Sequence, residues 1–467
     1  MSASPTGRLS LICLTVLTFM LFAPADSARA DIGAYILVDA QTGAVLEQKN
    51  ATRKWYPASL TKLMTAYVTF KAIKEGRASL NSAVVQSANS ASEPPSKMGF
   101  KVGTRFTVDT ALKIILIKSA NDVAVALGEA IGGSESAFIA MMNAEAKRLG
   151  MTATHFNNPH GLPDNGQISS ARDMAILALA LRRDFPQAQT YYNHPGLRFG
   201  KKTLRSANRE FLLRVPGANG MKTGYICNSG YNVAASVTRR GRTLVAVVMG
   251  AGSGLERTAF ARQLFDEGFR KGRRGTNIAS LSGPMGNPPA NGYCRRNKSP
   301  GAKTYMARYD MENEKRGGFL FFAGGKDAKE ADVDESGFKL SNGKPDWAKI
   351  LDRTLGPRRI AYKPIQVALG NPTATPSPGS SDPAAAVLVS IPAEDVPLPV
   401  ANPVRRAERE IRVRLEETAA ASAVGAIPQA PTIRPGSAAD PGSAAPGALF
   451  RKGLDFTVPV PSKSPRK

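Results

Sequence analysis

Apolar residues follow two kinds of spacing along this chain, and the change from one to the other outlines the fold. Over 57–75 they recur at helical spacing, at Leu60, Leu63, Met64, Tyr67, Val68 and Phe70, as in a helix packed on a core. The same spacing predicts a helix over 108–131 with a break near Ser119, and a strongly periodic helix over 134–149 stopped by Gly150. It also predicts a helix over 169–182, opened by a serine and carrying Asp173 early, and a closing helix over 255–271. Short apolar runs between turn residues predict strands instead. AYILVDA, a turn at Gln41-Thr-Gly43 and AVLEQ read as a hairpin within 32–50. MKTGYIC, YNVAASVT and TLVAVVMG read as antiparallel strands within 220–252, with a turn at Arg239-Arg240-Gly241. Residues 81–107, with Pro94-Pro95, are polar and read as irregular.

The patterning fades after 271. Residues 275–303 are rich in Gly, Pro and Asn, and 305–370 are mixed, with FLFFAGG and PDWAKILDRTLG as local patterns that suit a small module. From 371 onward Pro, Ala, Ser and Gly dominate, as in a low-complexity, disordered tail. One exception, VRRAEREIRVRLEE at 404–417, reads as a short charged helix. At the other end, a short basic segment precedes the apolar run LICLTVLTFMLF, and Ala28 and Ala30 form an A-x-A pattern. This reads as a secretory signal peptide cleaved after Ala30, because the run falls short of the ~20 residues of a span. The expected division is therefore 1–30 signal peptide, 31–272 catalytic domain, 273–370 uncertain extension and 371–467 tail.

Composition adjusts this picture in three ways. Hydrophobic residues make up 42% of 467 positions, enough for a sizeable core in the patterned part. A formal net charge of +25 favours anionic lipid and acidic envelope polymers as partners of an exported chain. No nucleic-acid motif accompanies the scattered basic residues, and no nucleic acid is expected. Cys13 leaves with the signal peptide, while Cys227 and Cys294 remain as a disulfide or as two free thiols. Three histidines, His155, His160 and His194, argue against a zinc peptidase, and no cofactor or metal is expected.

Candidate chemistry begins with Ser59-Leu-Thr-Lys62. Ser59 suits a helix N-cap. It equally suits a nucleophile with a lysine base one turn on, since residues three apart share a helix face. Ser119-Ala-Asn121 and Lys222-Thr-Gly224 follow in the chain. Each motif alone is weak, but this order is the one seen in penicillin-recognising serine enzymes. With SKMGFKVGTRFTV, SANDVAVALGEAIGGSE, THFNNPHGLPD, SSARDMAILA and KTGYICNSGYNVAASV, residues 31–271 resemble the low-molecular-mass penicillin-binding proteins. These are serine-type D-alanyl-D-alanine carboxypeptidases of the peptidase S11 type.

The resemblance implies an α/β (α+β) fold, an antiparallel sheet flanked by helices with an all-helical lobe holding the Ser119 loop. It implies Ser59 as nucleophile at a helix N-terminus and Lys62 as its base, which requires a lowered lysine pKa. Ser119 would relay a proton to the leaving D-alanine, and Asn121 would orient Lys62 and the substrate amide. Lys222 and Thr223 would hold the substrate's terminal carboxylate, and the N–H groups of Ser59 and Tyr225 would form the oxyanion hole. Gly224 would keep a side chain out of the substrate's way, so that Gly224→Val blocks acylation without disturbing the fold. Arg257 matches by spacing a carboxylate-binding arginine, the plain alternative being a surface arginine at a helix start. His160 and Asp173 are expected in structural roles, as a hydrogen-bonded loop histidine and a helix-start carboxylate. Implied partners are peptidoglycan stem peptides and, as covalent inhibitors, β-lactam antibiotics. The implied location is the periplasm.

The C-terminal half departs from the family, since neither a β-rich second domain nor an amphipathic anchor helix is recognisable. The tail LFRKGLDFTVPVPSKSPRK is read instead as a weak electrostatic tether to membrane or envelope. A D,D-endopeptidase on the same scaffold, a β-lactamase and a wall-binding protein with a vestigial site are the competing readings. Class A β-lactamases need a glutamate for deacylation, and 121–222 shows no clear match to that motif.

Overall fold

The computed structural model describes residues 32–312 and 336–373. All of these belong to the first of two units, residues 1–406. The expected signal peptide, FLFFAGG, the charged segment at 404–417 and the tail beyond 373 lie outside the described residues.

Ten strands are present among the described residues. They are β1 (Ala34–Asp39), β2 (Val45–Lys49), β3 (Ala83–Val85), β4 (Arg105–Thr107), β5 (Gly196–Phe199), β6 (Lys202–Arg205), β7 (Ala218–Ile226), β8 (Gly230–Arg239), β9 (Arg242–Ala251) and β10 (Ile365–Val367). Five of them form one antiparallel sheet in the order β2-β1-β9-β8-β7. Successive strand residues point to opposite faces, and here both faces are covered. Ile36, Val38, Val245, Val247 and Met249 enter one core cluster, Tyr35, Leu37, Leu244, Ala246 and Val248 the other. That is why AYILVDA and TLVAVVMG read as continuous apolar runs rather than alternating ones. Each fully buried aliphatic or aromatic side chain contributes about 1.5–3 kcal/mol, so both layers are held firmly.

Helix Ala171–Asp184 covers the first face with Met174, Leu177 and Leu181. Helix Gly254–Arg270 covers the second with Phe260, Leu264 and Phe265. Serines open these helices: Ser170 Oγ accepts the N–H of Asp173, and Ser253 Oγ that of Glu256. Beyond the first face lies the helical lobe, with Lys62–Lys74 at its centre and Val108–Ile117, Asn121–Gly132 and Glu135–Arg148 around it. The central helix is buried on nearly every side from Lys62 to Phe70, which a one-sided apolar stripe does not anticipate.

Two segments differ from expectation. Residues 81–107 are not irregular throughout: β3 and β4 pair, and a short helix, Ala88–Ser92, lies between them. Three-residue strands are too short to show a period. Past 272, the described residues build no core of their own. Tyr305, Met306 and Tyr309 of helix Ala302–Tyr309, with Ile350, Leu351 and Leu355 of helix Trp347–Leu355, enter the second cluster of the sheet. β10 pairs in parallel with β5. The packed domain therefore runs beyond the expected boundary at 272, because these short amphipathic helices bury their stripe on the domain rather than on each other alone. Cys227 and Cys294 are joined as a disulfide, and Cys294 N–H donates to Cys227 O at 2.9 Å. The bond ties the end of β7 to a segment 67 residues away. A cross-link of that span restricts the unfolded chain by about 4 kcal/mol in the chain-entropy picture.

Candidate active site

Ser59 lies in a 3-10 turn, Ala58–Thr61, that runs straight into helix Lys62–Lys74. The expected cap is not made, because no side chain caps the turn or the helix. Ser59 sits inside the turn, and its Oγ lies 3.1 Å from Lys62 Nζ. Its neighbour Ala58 has φ +48°, and Ser119 has φ +66°. Non-glycine residues seldom adopt such angles. Ser119 and the residue just before Ser59 thus hold strained backbone, a cost that persists only where surrounding structure enforces it.

Lys62 is fully buried and meets three oxygens. Its Nζ lies 2.7 Å from His160 O, 2.8 Å from Asn121 Oδ1 and 3.1 Å from Ser59 Oγ. Burial is the main cause that drives its pKa well below the ordinary lysine range, followed by the charge of Lys222. Glu93 and Asp122 oppose the shift, and Lys118 adds to it. A neutral amine has two N–H groups and one lone pair. The two carbonyl oxygens can only accept, so they take the N–H groups and leave the lone pair for the Ser59 hydroxyl.

Asn121 is held from the other side. Its Nδ2 donates to Pro94 O at 2.9 Å and its backbone N–H to Ser96 O at 2.7 Å. Ser119 accepts from Lys222 Nζ at 2.8 Å, and Lys222 also donates to Thr223 O at 2.8 Å. Burial chiefly, then the charges of Arg257 and Lys118, lowers the Lys222 pKa to about 7. Lys222, Thr223, Gly224 and Tyr225 all lie on β7, the edge strand of the sheet. The Tyr225 ring packs on Tyr231 with centroids 4.3 Å apart.

Two glycines let backbone approach the Ser59 turn. A Cβ on Gly224 would stand 2.9 Å from Pro57 O and 3.0 Å from Ser59 N. Gly161, at φ +88°, would place a Cβ 1.9 Å from Ala58 O. The expected reason for Gly224 was room for substrate, with the fold indifferent to a larger residue. The structure adds a reason that involves the fold itself: strand and nucleophile turn touch at this position.

Arg257 is not the surface residue of the plain alternative. It is 5% exposed at the start of helix Gly254–Arg270, with Nη2 donating to Ala207 O at 3.1 Å and Nε without a partner among the described residues. Burial lowers its pKa to about 10. His160 is a hydrogen-bonded loop histidine as expected, with Nδ1 accepting from Leu162 N–H at 3.1 Å, and its backbone oxygen serves Lys62. Asp173 is a helix-start carboxylate, accepting from Ala153 N–H at 2.7 Å and from Thr154 and Arg172 at 2.8 Å.

Sequence reading missed Asn232, Gln167 and Glu93. Asn232 Nδ2 donates to Tyr56 O at 3.0 Å and Pro57 O at 3.3 Å, and its Oδ1 accepts from Gly250 N–H at 3.0 Å. Gln167 Nε2 donates to Thr61 Oγ1 at 2.9 Å. Asparagine disfavours strands, so Asn232 within an apolar strand was a usable signal. Gln167 and Glu93 sit in polar loops and gave none.

Known proteins match the segment that carries this geometry. The peptidase S11 family, described as D-alanyl-D-alanine carboxypeptidase, matches residues 22–253. The chain is 38% identical over 266 residues to D-alanyl-D-alanine carboxypeptidase DacC of Escherichia coli strain K12, covering 54% of this chain and 66% of that one. It is 35% identical over 287 residues to DacA of the same strain, covering 58% and 71%. A solved structure of penicillin binding protein 6B from Escherichia coli is 34% identical, with 52% of this chain and 79% of that one covered, at a TM-score of 0.49. Ser59, Lys62, Ser119, Asn121 and Lys222 all fall inside the matched residues, and the likeness to DacA extends over more than two thirds of that relative. On these grounds the chain belongs to the peptidase S11 family of D-alanyl-D-alanine carboxypeptidases.

Proposed function

We propose that this chain is a serine D-alanyl-D-alanine carboxypeptidase that removes the terminal D-alanine from peptidoglycan stem pentapeptides. The observation that carries the reading is Lys62, buried and shared between Ser59 Oγ, Asn121 Oδ1 and His160 O. Ser59 Oγ attacks the carbonyl carbon of the penultimate D-alanine as its proton passes to Lys62 Nζ. The carbonyl oxygen becomes an oxyanion, received by the N–H groups of Ser59 and Tyr225, where one donor is worth about 3 kcal/mol. The C–N bond then breaks. Ser119 hands a proton to the departing amine and is resupplied from Lys62 or Lys222, and D-alanine leaves. Water cleaves the resulting ester by the same steps in reverse order. Lys222, Thr223 and Arg257 hold the terminal carboxylate, and the unpartnered Nε of Arg257 supports that role. A β-lactam ring opens on Ser59 in the same way and stays attached. Release of D-alanine from a pentapeptide supports the reading, and cleavage of cross-linked muropeptides alone would turn it into an endopeptidase.

The two lysines set a bell-shaped pH profile for kcat/KM, which reports the free enzyme. Lys62 works as the free amine, so activity rises with pH through its lowered pKa. Lys222 binds carboxylate as the cation, so activity falls above about pH 7, where it loses its proton. A bound carboxylate favours the cation, so the falling limb of kcat lies at higher pH than that of kcat/KM. A profile flat from pH 5 to 10 would contradict these assignments.

The enzyme works in the bacterial envelope, with the basic tail as a weak tether to anionic surfaces. Deleting residues 371–467 is expected to reduce co-sedimentation with anionic vesicles, and undiminished binding would refute the tether.

A further inference from the structure

Glu93 has no part in the chemistry above, yet residues 93–96 contact both residues, His160 and Asn121, whose carbonyl oxygens receive Lys62. Glu93 Oε2 lies 3.3 Å from His160 Nε2, with the two side chains 15% and 6% exposed. His160 Nδ1 accepts the N–H of Leu162 at 3.1 Å. A ring nitrogen that accepts carries no hydrogen, so the proton of the neutral ring is on Nε2, facing Glu93. The hydrogen bond with His160 is the largest cause holding the Glu93 carboxyl below its usual range, so Glu93 is anionic at neutral pH. The ring is thus pinned from both sides, and the same residue's carbonyl lies 2.7 Å from Lys62 Nζ. The residues after Glu93 fix the other carbonyl. Pro94 O takes Asn121 Nδ2 at 2.9 Å and Ser96 O takes Asn121 N–H at 2.7 Å, which leaves Asn121 Oδ1 aimed at Lys62, 2.8 Å away.

We propose that Glu93 is a positioning residue for Lys62: its carboxylate clamps the His160 ring and anchors residues 93–96, so that the His160 carbonyl and the Asn121 amide hold the two N–H groups of Lys62 and turn its lone pair to Ser59. The inference rests on the serine acyl-transfer reading. It also gives Glu93 an electrostatic effect, because the carboxylate favours the Lys62 cation. The other groups acting on Lys62 are Lys222 on β7, Asp122 on helix Asn121–Gly132 and Lys118 just before it. Glu93 itself faces His160, Lys62 and Lys97.

Two substitutions separate clamp from charge. Glu93→Gln keeps an oxygen that accepts from Nε2–H and removes the charge, whereas Glu93→Ala removes both. The measurement is the second-order rate of acylation by a fluorescent penicillin from pH 5 to 10, with a thermal melt of each variant. Glu93→Gln is expected to move the rising limb to lower pH while the rate at its plateau stays within about twofold of wild type. Glu93→Ala is expected to lower the plateau on the order of tenfold, as a misaligned base does. A purely structural residue would lower the melting temperature without moving the limb. The proposal is overturned if the Glu93→Gln limb stays in place or if Glu93→Ala acylates at the wild-type rate. If the wild-type chain takes no label at any pH, the acyl-transfer reading beneath the proposal fails instead.

Discussion

Lys62→Met is expected to slow acylation by penicillin, and D-alanine release with it, by roughly 10³-fold, the middle of the range for removing a general base. Methionine nearly matches the lysine stem in size, and Lys62 is fully buried, so the cavity stays filled. What disappears is the only amine within hydrogen-bond distance of Ser59 Oγ among the described residues. A serine hydroxyl is a poor nucleophile until a base takes its proton. Asn121 Oδ1 and His160 O each lose a donor, at about 1–3 kcal/mol apiece, partly offset because an amine no longer has to be buried. A thermal melt therefore accompanies the kinetics, to show that the variant remains folded at the assay temperature. Acylation within tenfold of wild type by folded Lys62→Met would remove Lys62 from the role of base.

Gly224→Val is expected to lower the acylation rate on the order of 10²-fold or more, as displacement of reacting groups by about 1 Å does. Its Cβ would stand 2.9 Å from Pro57 O and 3.0 Å from Ser59 N, so either β7 or the nucleophile turn must give way. Neither is free to do so. Asn232 ties Tyr56 and Pro57 to the sheet, and Gly161 packs closely against Ala58. The branched valine adds bulk to a contact that even alanine would strain, so Gly224→Ala should fall between wild type and valine. Second-order acylation rates of the three proteins test the series. A valine variant that acylates as fast as wild type would show that the close approach is not needed.

The hairpin of 32–50, the strands of 220–252 and the helices of 57–75, 108–131, 134–149, 169–182 and 255–271 were legible because their apolar spacing reports real burial. β1 and β9 bury both faces, and Ser134, Ser170 and Ser253 cap the helices that follow them. Three motifs at long separation sufficed to identify Ser59, Lys62, Ser119, Asn121 and Lys222 as candidates, and the fold brings them together. What the sequence could not carry was the detail of contact. Ser59 looks like a cap by residue type, but whether a cap forms depends on the φ of Ala58 and on where Lys62 points. The contact of Gly224 with the nucleophile turn shows only in its distances to Pro57 and Ser59. The His160 backbone oxygen leaves no trace in residue identity, and Glu93 is one carboxylate in a polar stretch. The helices past 272 were missed because an eight- or nine-residue amphipathic segment between Gly- and Pro-rich linkers has no partner visible in sequence.

Intact-mass measurement of the chain after incubation with benzylpenicillin, beside a Ser59→Ala variant, tests the central claim most directly. The account predicts one penicilloyl adduct on the wild-type chain, located to the peptide containing Ser59, and none on the variant. An adduct that persists in Ser59→Ala, or a wild-type chain that takes none, would contradict it.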